Sequence, residues 1–523
     1  MFTLPNQTPT VLKSHWSLLH LIVLVGLILR LIVAVTSERI HHPDEVFQYL
    51  EQAHRLTYGY GFIPWEYRFG IRSWIVPGLL TGLLQVFARL GLNEPQLYIP
   101  AIKAVLCVLS LSLIYGAYFI TKRLAESETA GQLAAIFIAI WYEFIYFASK
   151  PTPEVLGAYC LVIATTFLVS KSKTAWTYGI FGLMCGLALI IRYQYLPAIA
   201  CLGFLALWQW GKSSWSALSL ILLGMLAFAG IVDYFTWGTF GISYYNNFLY
   251  NSVYGVSKLF GTMSPQFYAE TLFATSAGLY ALILLLSFFP SRLRKTGLPL
   301  LMIGSVVLAH TAIAHKEYRF IFASLPFLWI LAAMLLAEFM ESTRLSPLVK
   351  SKILPLTCIA IVIAVSIVGI NKKLPGQGVA AYPFEFRSLL GKDDILSAYL
   401  FLSQEPELTA FVDFFSSWVS GGGYYYLHRD IPNYQALYFD DIAPEDYSRY
   451  VSHILCRTGD PAIPNFSVIA QFDDVEIRKV IEPPSRYEVL DVDVFNPGQL
   501  GVDDKFTPAV PSFGPQLSDQ RTH

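Results

Sequence analysis

From Leu18 to Ile370 the chain is a succession of apolar runs divided by short polar breaks. The runs lie near 18–36, 74–90, 98–119, 131–148, 155–170, 175–191, 195–210, 215–232, 268–289, 297–313, 320–338 and 354–370. Each has about the length a helix needs to cross, or nearly cross, a bilayer core of about 30 Å. A different pattern fills Glu45 to Tyr58. Val46, Phe47, Leu50, Ala53 and Leu56 recur at helical spacing while Gln48, Glu51, Gln52 and Arg55 fill the other face. That periodicity predicts an amphipathic helix along the membrane surface. His42-Pro43-Asp44 would start it, Tyr58-Gly59-Tyr60-Gly61 would end it, and Trp65 and Tyr67 would anchor the turn that follows. After Asn371 the chain turns polar for 153 residues, enough for one small domain. Pro375, Gly376 and Gly378 read as a linker, Tyr424–Leu427 and Phe466–Ala470 as strands, and the stretch after about Phe495 as poorly ordered.

The pattern therefore predicts an all-α polytopic membrane part over residues 1–370 and a small mixed α/β domain over 371–523. Composition agrees. Only 14% of the 523 residues are charged and 55% are apolar, with a mean hydropathy of +0.50, against about 25% charge in soluble domains. A net charge of −1 gives no electrostatic case for a nucleic-acid partner. Five of the six cysteines lie in apolar runs, leaving Cys456 alone in the polar tail and no disulfide framework to build. The first run lacks a small-residue cleavage site and reads as a retained span.

Charge also orders the connections. Lys122 with Arg123, Lys171 with Lys173, Lys212, Arg292 to Lys295, and Arg344 with Lys350 and Lys352 are the basic connections, expected in the cytoplasm. Strict alternation then puts 150–154, 192–194, 233–265, 315–319 and the whole tail on the outer face. For Asp44 to share that face with a cytoplasmic N-terminus, one run must not cross. The 74–90 run, with Pro77, is the expected re-entrant or interfacial helix, leaving about eleven crossings. An unrecognised extra crossing elsewhere is the alternative.

The outer face carries the candidate chemistry. Arg39 to Arg72 concentrates His41, His42, Asp44, Glu45, Glu51, His54, Arg55, Glu66, Arg68 and Arg72 directly after an apolar helix. A solvated loop would account for the charge; so would a site acting on a substrate presented from the membrane. Asp44 and Glu45 are adjacent, about 100° apart on a helix, which argues against a glycosidase-type dyad. One can act as a base while the other turns to a neighbouring group; an N-capping Asp with a surface Glu is the plainer alternative. In His315-Lys316-Glu317-Tyr318-Arg319-Phe320, helical spacing would put His315 and Arg319 on one face, a cationic group suited to a lipid phosphate. Between Asp233 and Pro265, Asn246, Asn247 and Asn251 stand among aromatics, amides of the kind that surround sugar hydroxyls. Neither H-E-x-x-H nor C-x-x-C occurs, so zinc is not expected and no cofactor is called for. A weak divalent cation on Asp44, Glu45 or Asp233 stays open.

These segments resemble one family. His42-Pro43-Asp44-Glu45 with F-Q-Y-L-E-Q-A-H-R-L-T-Y-G-Y-G-F-I-P-W-E-Y and then Gly70-Ile71-Arg72-Ser73 is similar to the first extracytoplasmic loop of the dolichyl-phosphate-mannose-dependent mannosyltransferases, glycosyltransferase family 22. Within it, the segments look most like those of the third GPI-anchor mannosyltransferase branch. His315 to Phe320 resembles that family's H-K-E-x-R-F element, and Asp233 to Gly238 with Asn246-Asn247-Phe248 resembles its D-x-x-x-x-G and N-F-x-x-Y-N region. Ser149-Lys150-Pro151-Thr152-Pro153-Glu154 departs from the S-R-T-x-P-N pattern, Ser264 to Tyr268 departs from P-W-H-W-Y, and little aligns after Asn371; such departures would suit a bacterial member. The resemblance implies a GT-C fold and inverting transfer of mannose from a polyprenyl (dolichyl) phosphate mannose to a glycan or glycolipid acceptor. It implies Asp44 as base and Glu45 as a supporting acid. His315, Lys316 and Arg319 would lie near the donor phosphate, with Arg72, Lys150, Asp233 and Asn247 as further binding residues. The membrane would be the endoplasmic reticulum in a eukaryote or the inner or plasma membrane in a bacterium. A transporter or flippase of lipid-linked glycans is the alternative, and it predicts charged or broken helices at mid-bilayer.

Overall fold

The computed structural model describes residues 9–38, 40–211, 215–342, 346–370, 391–415 and 421–492. Arg39, Lys212, Arg344, the 375–378 linker and the stretch after Phe495 lie outside them.

Every apolar run forms helix. In chain order these are α1 (Pro9–Thr36), α2 (Glu51–Tyr58), α3 (Trp65–Arg68), α4 (Ile75–Arg89), α5 (Pro95–Ala125), α6 (Glu128–Ile140), α7 (Tyr142–Tyr146), α8 (Pro153–Val169), α9 (Ala175–Ile191), α10 (Leu196–Trp210), α11 (Trp215–Trp237), α12 (Ile242–Phe248), α13 (Phe267–Thr275), α14 (Leu279–Ser287), α15 (Leu293–Thr311), α16 (Leu325–Ser342), α17 (Leu354–Ile370) and α18 (Asp394–Gln404). Among the described residues, Leu18–Thr36, Pro95–Ala125, Leu218–Trp237 and Tyr318–Ser342 have the length and composition to cross a membrane, and six segments do if each of two bent pairs is one span. Ile75–Arg89, Pro153–Val169, Ala175–Ile191 and Leu354–Val368 are shorter apolar helices. The result is an all-α polytopic membrane fold with a small mixed α/β domain at its C-terminal end.

Two runs that read as single helices are broken, each for a local reason. Between α6 and α7 the axis bends by 59° where Trp141 is extended. The carbonyls of Ile138 and Ala139, stranded at the end of α6, accept hydrogen bonds from the buried Arg30 guanidinium at 3.0 and 3.2 Å. Between α13 and α14 the bend is 111°, because Ala277 (φ +52°) and Gly278 (φ +83°) take left-handed conformations in succession.

Two compact units result. The first is drawn from Met1–Ala34, Lys103–Phe228 and Ser257–Leu389. Its apolar core is built where α8 packs on α9, α16 on α6 and α14, and α15 on α10. The second is drawn from Val35–Ile102, Ala229–Val256 and Leu390–His523. It joins the predicted surface helix, the Ala229–Val256 connection and the C-terminal domain.

In that second unit the surface helix starts as six π-helical residues, Glu45–Leu50, continues as α2, and stops at Gly59 with φ +90°. It does not lie with one face in water: Gln48, Glu51, Gln52 and Arg55 are as buried as Val46 and Leu50. The C-terminal domain holds a five-stranded sheet ordered β2-β1-β3-β5-β4. β1 (Phe411–Asp413) runs parallel to β2 (Asn433–Gln435) and β3 (His453–Arg457); β5 (Val475–Val480) pairs antiparallel with β3 and with β4 (Phe466–Phe472). The predicted strand at 466–470 is therefore present. Tyr424–Leu427 is instead part of a short helix, Gly423–Leu427, buried on every side. Its run of three tyrosines carries strand propensity, but Gly423 at φ +58° turns the chain out of an extended path just before them. α18 is capped at its N-terminus by Asp393, whose carboxylate accepts from the amides of Ile395 and Leu396.

Candidate active site

In the second unit Asp44 lies in the first helical turn and keeps about a fifth of its side chain exposed, with Oδ2 3.3 Å from His42 Nδ1. Its own amide donates to that same nitrogen at 3.1 Å. Glu45, by contrast, is buried and folds back so that Oε2 accepts the His41 amide at 2.9 Å. The adjacent carboxylates thus diverge, as their helical spacing requires.

Arg72 and Asp44 are electrostatic neighbours. Burial disfavours the Arg72 charge, but Tyr49, Glu66, Asp44 and Tyr67 outweigh burial and hold the guanidinium more firmly protonated than usual. Glu66 is pushed up to about 7 by burial, with Arg72 opposing the shift and Asp44 adding to it. Gln48 Nε2 donates to Glu66 at 2.5 Å, and the Tyr67 hydroxyl donates to the Gln48 carbonyl at 2.9 Å. The loop that carries Arg72 is held by its backbone. Asn246 Nδ2 donates to the Phe69 carbonyl and Asn247 Nδ2 to the Ile71 carbonyl, both at 3.0 Å, and Trp237 Nε1 donates to the Arg72 carbonyl at 3.1 Å. Asn247 Oδ1 accepts from Asn251 at 3.2 Å. The amides noted in the sequence therefore spend these hydrogen bonds on the chain beside Arg72. Asp233 falls inside α11, not in a loop, and its Oδ2 accepts the amide and hydroxyl of Ser243 at 2.9 and 2.7 Å. That bond fixes the turn between α11 and α12. Of the acids open to a cation in the sequence, Glu45 and Asp233 are engaged elsewhere, with the His41 amide and with Ser243, while Asp44 keeps a donor beside His42.

In the first unit His315 and Arg319 come together through Glu317, though not on a helix, while Lys316 turns to other partners. Residues 315–317 are extended or bent, and a 3-10 segment begins at Tyr318. Glu317 is the hub: it meets His315 Nε2 at 3.0 Å and Arg319 Nε at 2.6 Å. Burial works against protonation of His315, but Glu317 and the Gly261 carbonyl prevail and raise its pKa. Burial lowers the pKa of Lys316, whose Nζ donates to the carbonyls of Met263 and Ile313 at 3.2 and 2.5 Å. Lys150 is buried with its ammonium 5.4 Å from the Tyr146 ring centre.

Two members of this group escape sequence reasoning. Glu154 forms a buried ion pair with Arg192 at 2.7 Å and lies 4.0 Å from Arg319. Arg192 also stands over the Phe320 ring, 4.7 Å from its centre. Arg192 and Glu154 are 38 positions apart (192 minus 154), so no local spacing announces the pair. The available signal is an Arg interrupting otherwise apolar sequence between α9 and α10.

Residues 21–381 match the Alg9-like mannosyltransferase family. The chain belongs to that family. Among its relatives, a "GPI mannosyltransferase 3" of Drosophila melanogaster is 26% identical over 318 residues, 58% of this chain and 54% of that one. Another of that name from Yarrowia lipolytica is 25% identical over 406 residues, 76% of this chain and 73% of that one. Several of the matches span little more than half the length of the relatives concerned. Among solved structures, ArnT from Cupriavidus metallidurans, in a crystal structure bound to undecaprenyl phosphate, superposes with a TM-score of 0.57 at 10% identity, covering 88% of this chain and 97% of that one. The fold of this Alg9-like chain is thus GT-C-like, in an integral multi-pass membrane protein whose family and fold are those of glycosyltransferases.

Proposed function

We propose that this Alg9-like chain transfers mannose, with inversion, from a polyprenyl (dolichyl) phosphate mannose to a lipid-linked or membrane-proximal glycan. The supporting observation is Asp44: a partly exposed carboxylate at a helix start, beside His42, in a stretch whose other acids, Glu45, Glu51 and Glu66, are buried and engaged. Asp44 takes the proton from an acceptor hydroxyl as that oxygen bonds to the mannose anomeric carbon. The bond from that carbon to the phosphate oxygen breaks, and polyprenyl phosphate leaves with the electron pair. Arg72, Lys150, His315, Lys316 and Arg319 are the cations assigned to the phosphate, whose charge grows as the sugar departs. Glu45 fixes the start of the helix through His41, and Asp233 and Asn247 shape the walls that receive substrate.

A transporter or flippase would draw on the two broken helices and on buried Arg30 and Glu143. Glu143, however, accepts from Trp141 at 2.5 Å, from Tyr280 at 2.7 Å and from Tyr318, the arrangement of an acid fixed in place by its neighbours. Detergent-solubilised protein separates the readings, because transport needs two compartments and transfer does not. Purified protein should transfer from the mannose donor to a lipid-linked glycan pool, and Asp44→Asn should lower that rate by about 100-fold or more. Undiminished transfer by folded Asp44→Asn refutes the base assignment.

A further inference from the structure

We propose that Glu51 is a positioning residue for Asp44, and that through it the C-terminal domain sets the geometry of the reaction. The inference rests on the transferase reading above and deepens it. Glu51 lies seven positions (51 minus 44) after Asp44 on one continuous helical segment, with no break between its π and α parts. Its carboxylate accepts three backbone amides: Phe62 at 2.8 Å and Tyr424 at 3.2 Å on Oε1, and Tyr425 at 2.8 Å on Oε2. One donor belongs to the loop and two to the C-terminal domain.

The approach is close enough to dictate sequence on both sides. A Cβ at Gly423 would stand 2.6 Å from Glu51 Oε2, and one at Gly61 3.0 Å from Oε1; both glycines have positive φ, +58° and +152°. One turn further along, His54 Nε2 is 3.0 Å from His428 Nδ1, and the Tyr98 hydroxyl bonds the Tyr425 carbonyl. Gln48 and Gln52, on the same helix, bond to Glu66, Phe47 and Phe62 of the loop itself. Glu51 and His54 therefore join the helix that presents Asp44 to residues 424–428.

An acid suits this joint: burial raises the Glu51 pKa to about 7 while the Phe62, Tyr425 and Tyr424 amides oppose the shift, and its two oxygens together offer lone pairs to all three N–H groups. An amide in the same place turns an NH2 group toward a backbone N–H. The helix then loses its fixed pitch, and Asp44 moves with it; displacements near 1 Å are enough to cost about 100-fold in rate.

The experiment uses full-length protein in detergent, with wild type, Asp44→Asn, Glu51→Gln and Gly423→Ala compared by transfer kinetics and by hydrogen exchange. Glu51→Gln should lower kcat by about ten- to a hundredfold while KM for the donor stays within about twofold. Exchange of amides 44–50 should rise by about tenfold or more, with α8 and α9 unchanged. Gly423→Ala, which leaves Glu51 in place, should reproduce both effects. Where Glu51→Gln fails to fold, Gly423→Ala carries the test. Faster exchange at 424–425 with 44–50 and kcat at wild-type values overturns the proposal. If wild type transfers nothing, the transferase reading fails separately, and exchange at 44–50 in the two variants decides whether the joint holds the helix.

Discussion

Consider replacing Glu154 by Gln. The carboxylate is buried, 2.7 Å from Arg192 and 4.0 Å from Arg319, and it stands in the first turn of α8, where the helix favours a negative charge. The variant keeps the shape and removes the charge, leaving Arg192 buried without its counterion. Breaking a buried pair from one side costs about 3–5 kcal/mol. Bulk salt reaches such a site poorly, so the loss should be nearly the same at low and high ionic strength. The cost comes mostly from the stranded guanidinium, so removing that as well should recover much of it: Glu154→Gln with Arg192→Met should be more stable than Glu154→Gln alone, with a coupling of about 2 kcal/mol. Denaturant-driven unfolding of the four proteins in mixed micelles, followed by tryptophan fluorescence, measures the cycle. A single-variant loss below about 0.5 kcal/mol would refute the reasoning, since it would mean that the pair does not hold α8, the Arg192 turn and the Arg319 segment together.

Other outcomes follow from the same geometry. Glu66 is raised to about 7 in the fold, above its unfolded value, so its contribution is fully present below about pH 4.5 and is lost as pH rises through 7; wild type should lose up to about 3 kcal/mol relative to Glu66→Gln across that window, read from unfolding curves at successive pH values. Arg30→Met leaves the Ile138 and Ala139 carbonyls without their donor at the α6–α7 break, and unfolding should register a loss of about 1–3 kcal/mol or more. Two glycine substitutions should differ in melting experiments: at Gly186 a Cβ meets the Met225 Cγ and Cβ at 2.5 and 2.8 Å, where the chain has little freedom to yield, costing about 1–3 kcal/mol. At Gly230 it meets the ring of exposed Phe240, which can swing outward, costing less than about 1 kcal/mol.

Hydrophobic pattern made the helices legible because each apolar run is an energetic unit in lipid, whatever its neighbours do. α9 begins and ends where the run does. Breaks were harder, because the bend after Ile140 is capped by an Arg more than a hundred positions upstream. Glu45 to Tyr58 was legible as helix but not in its surroundings: periodicity reports which residues share a face, not what covers that face. The polar side proved to be a set of buried joints, with Glu51 reaching Tyr424 and Tyr425. The His315–Arg319 cluster was visible as composition, yet its joining through Glu317 was not, and the Glu154–Arg192 pair had no spacing to betray it. Tyr424–Leu427 shows the opposite error, in which side-chain propensity pointed to a strand and a preceding glycine decided for helix.

The Glu51 joint also has a place in time. Its two distant donors are 373 and 374 residues further along the chain, which at translation rates of about 5–20 residues per second corresponds to roughly 20–75 s of synthesis. Throughout that interval the newly made helix carries a carboxylate built for burial with most of its partners not yet in existence. A ribosome pause or a truncation before Tyr424 would leave that acid without these donors, so the loop matures only when residues 424 and 425 arrive, and quality control that senses its exposure would in effect be checking that synthesis has passed them.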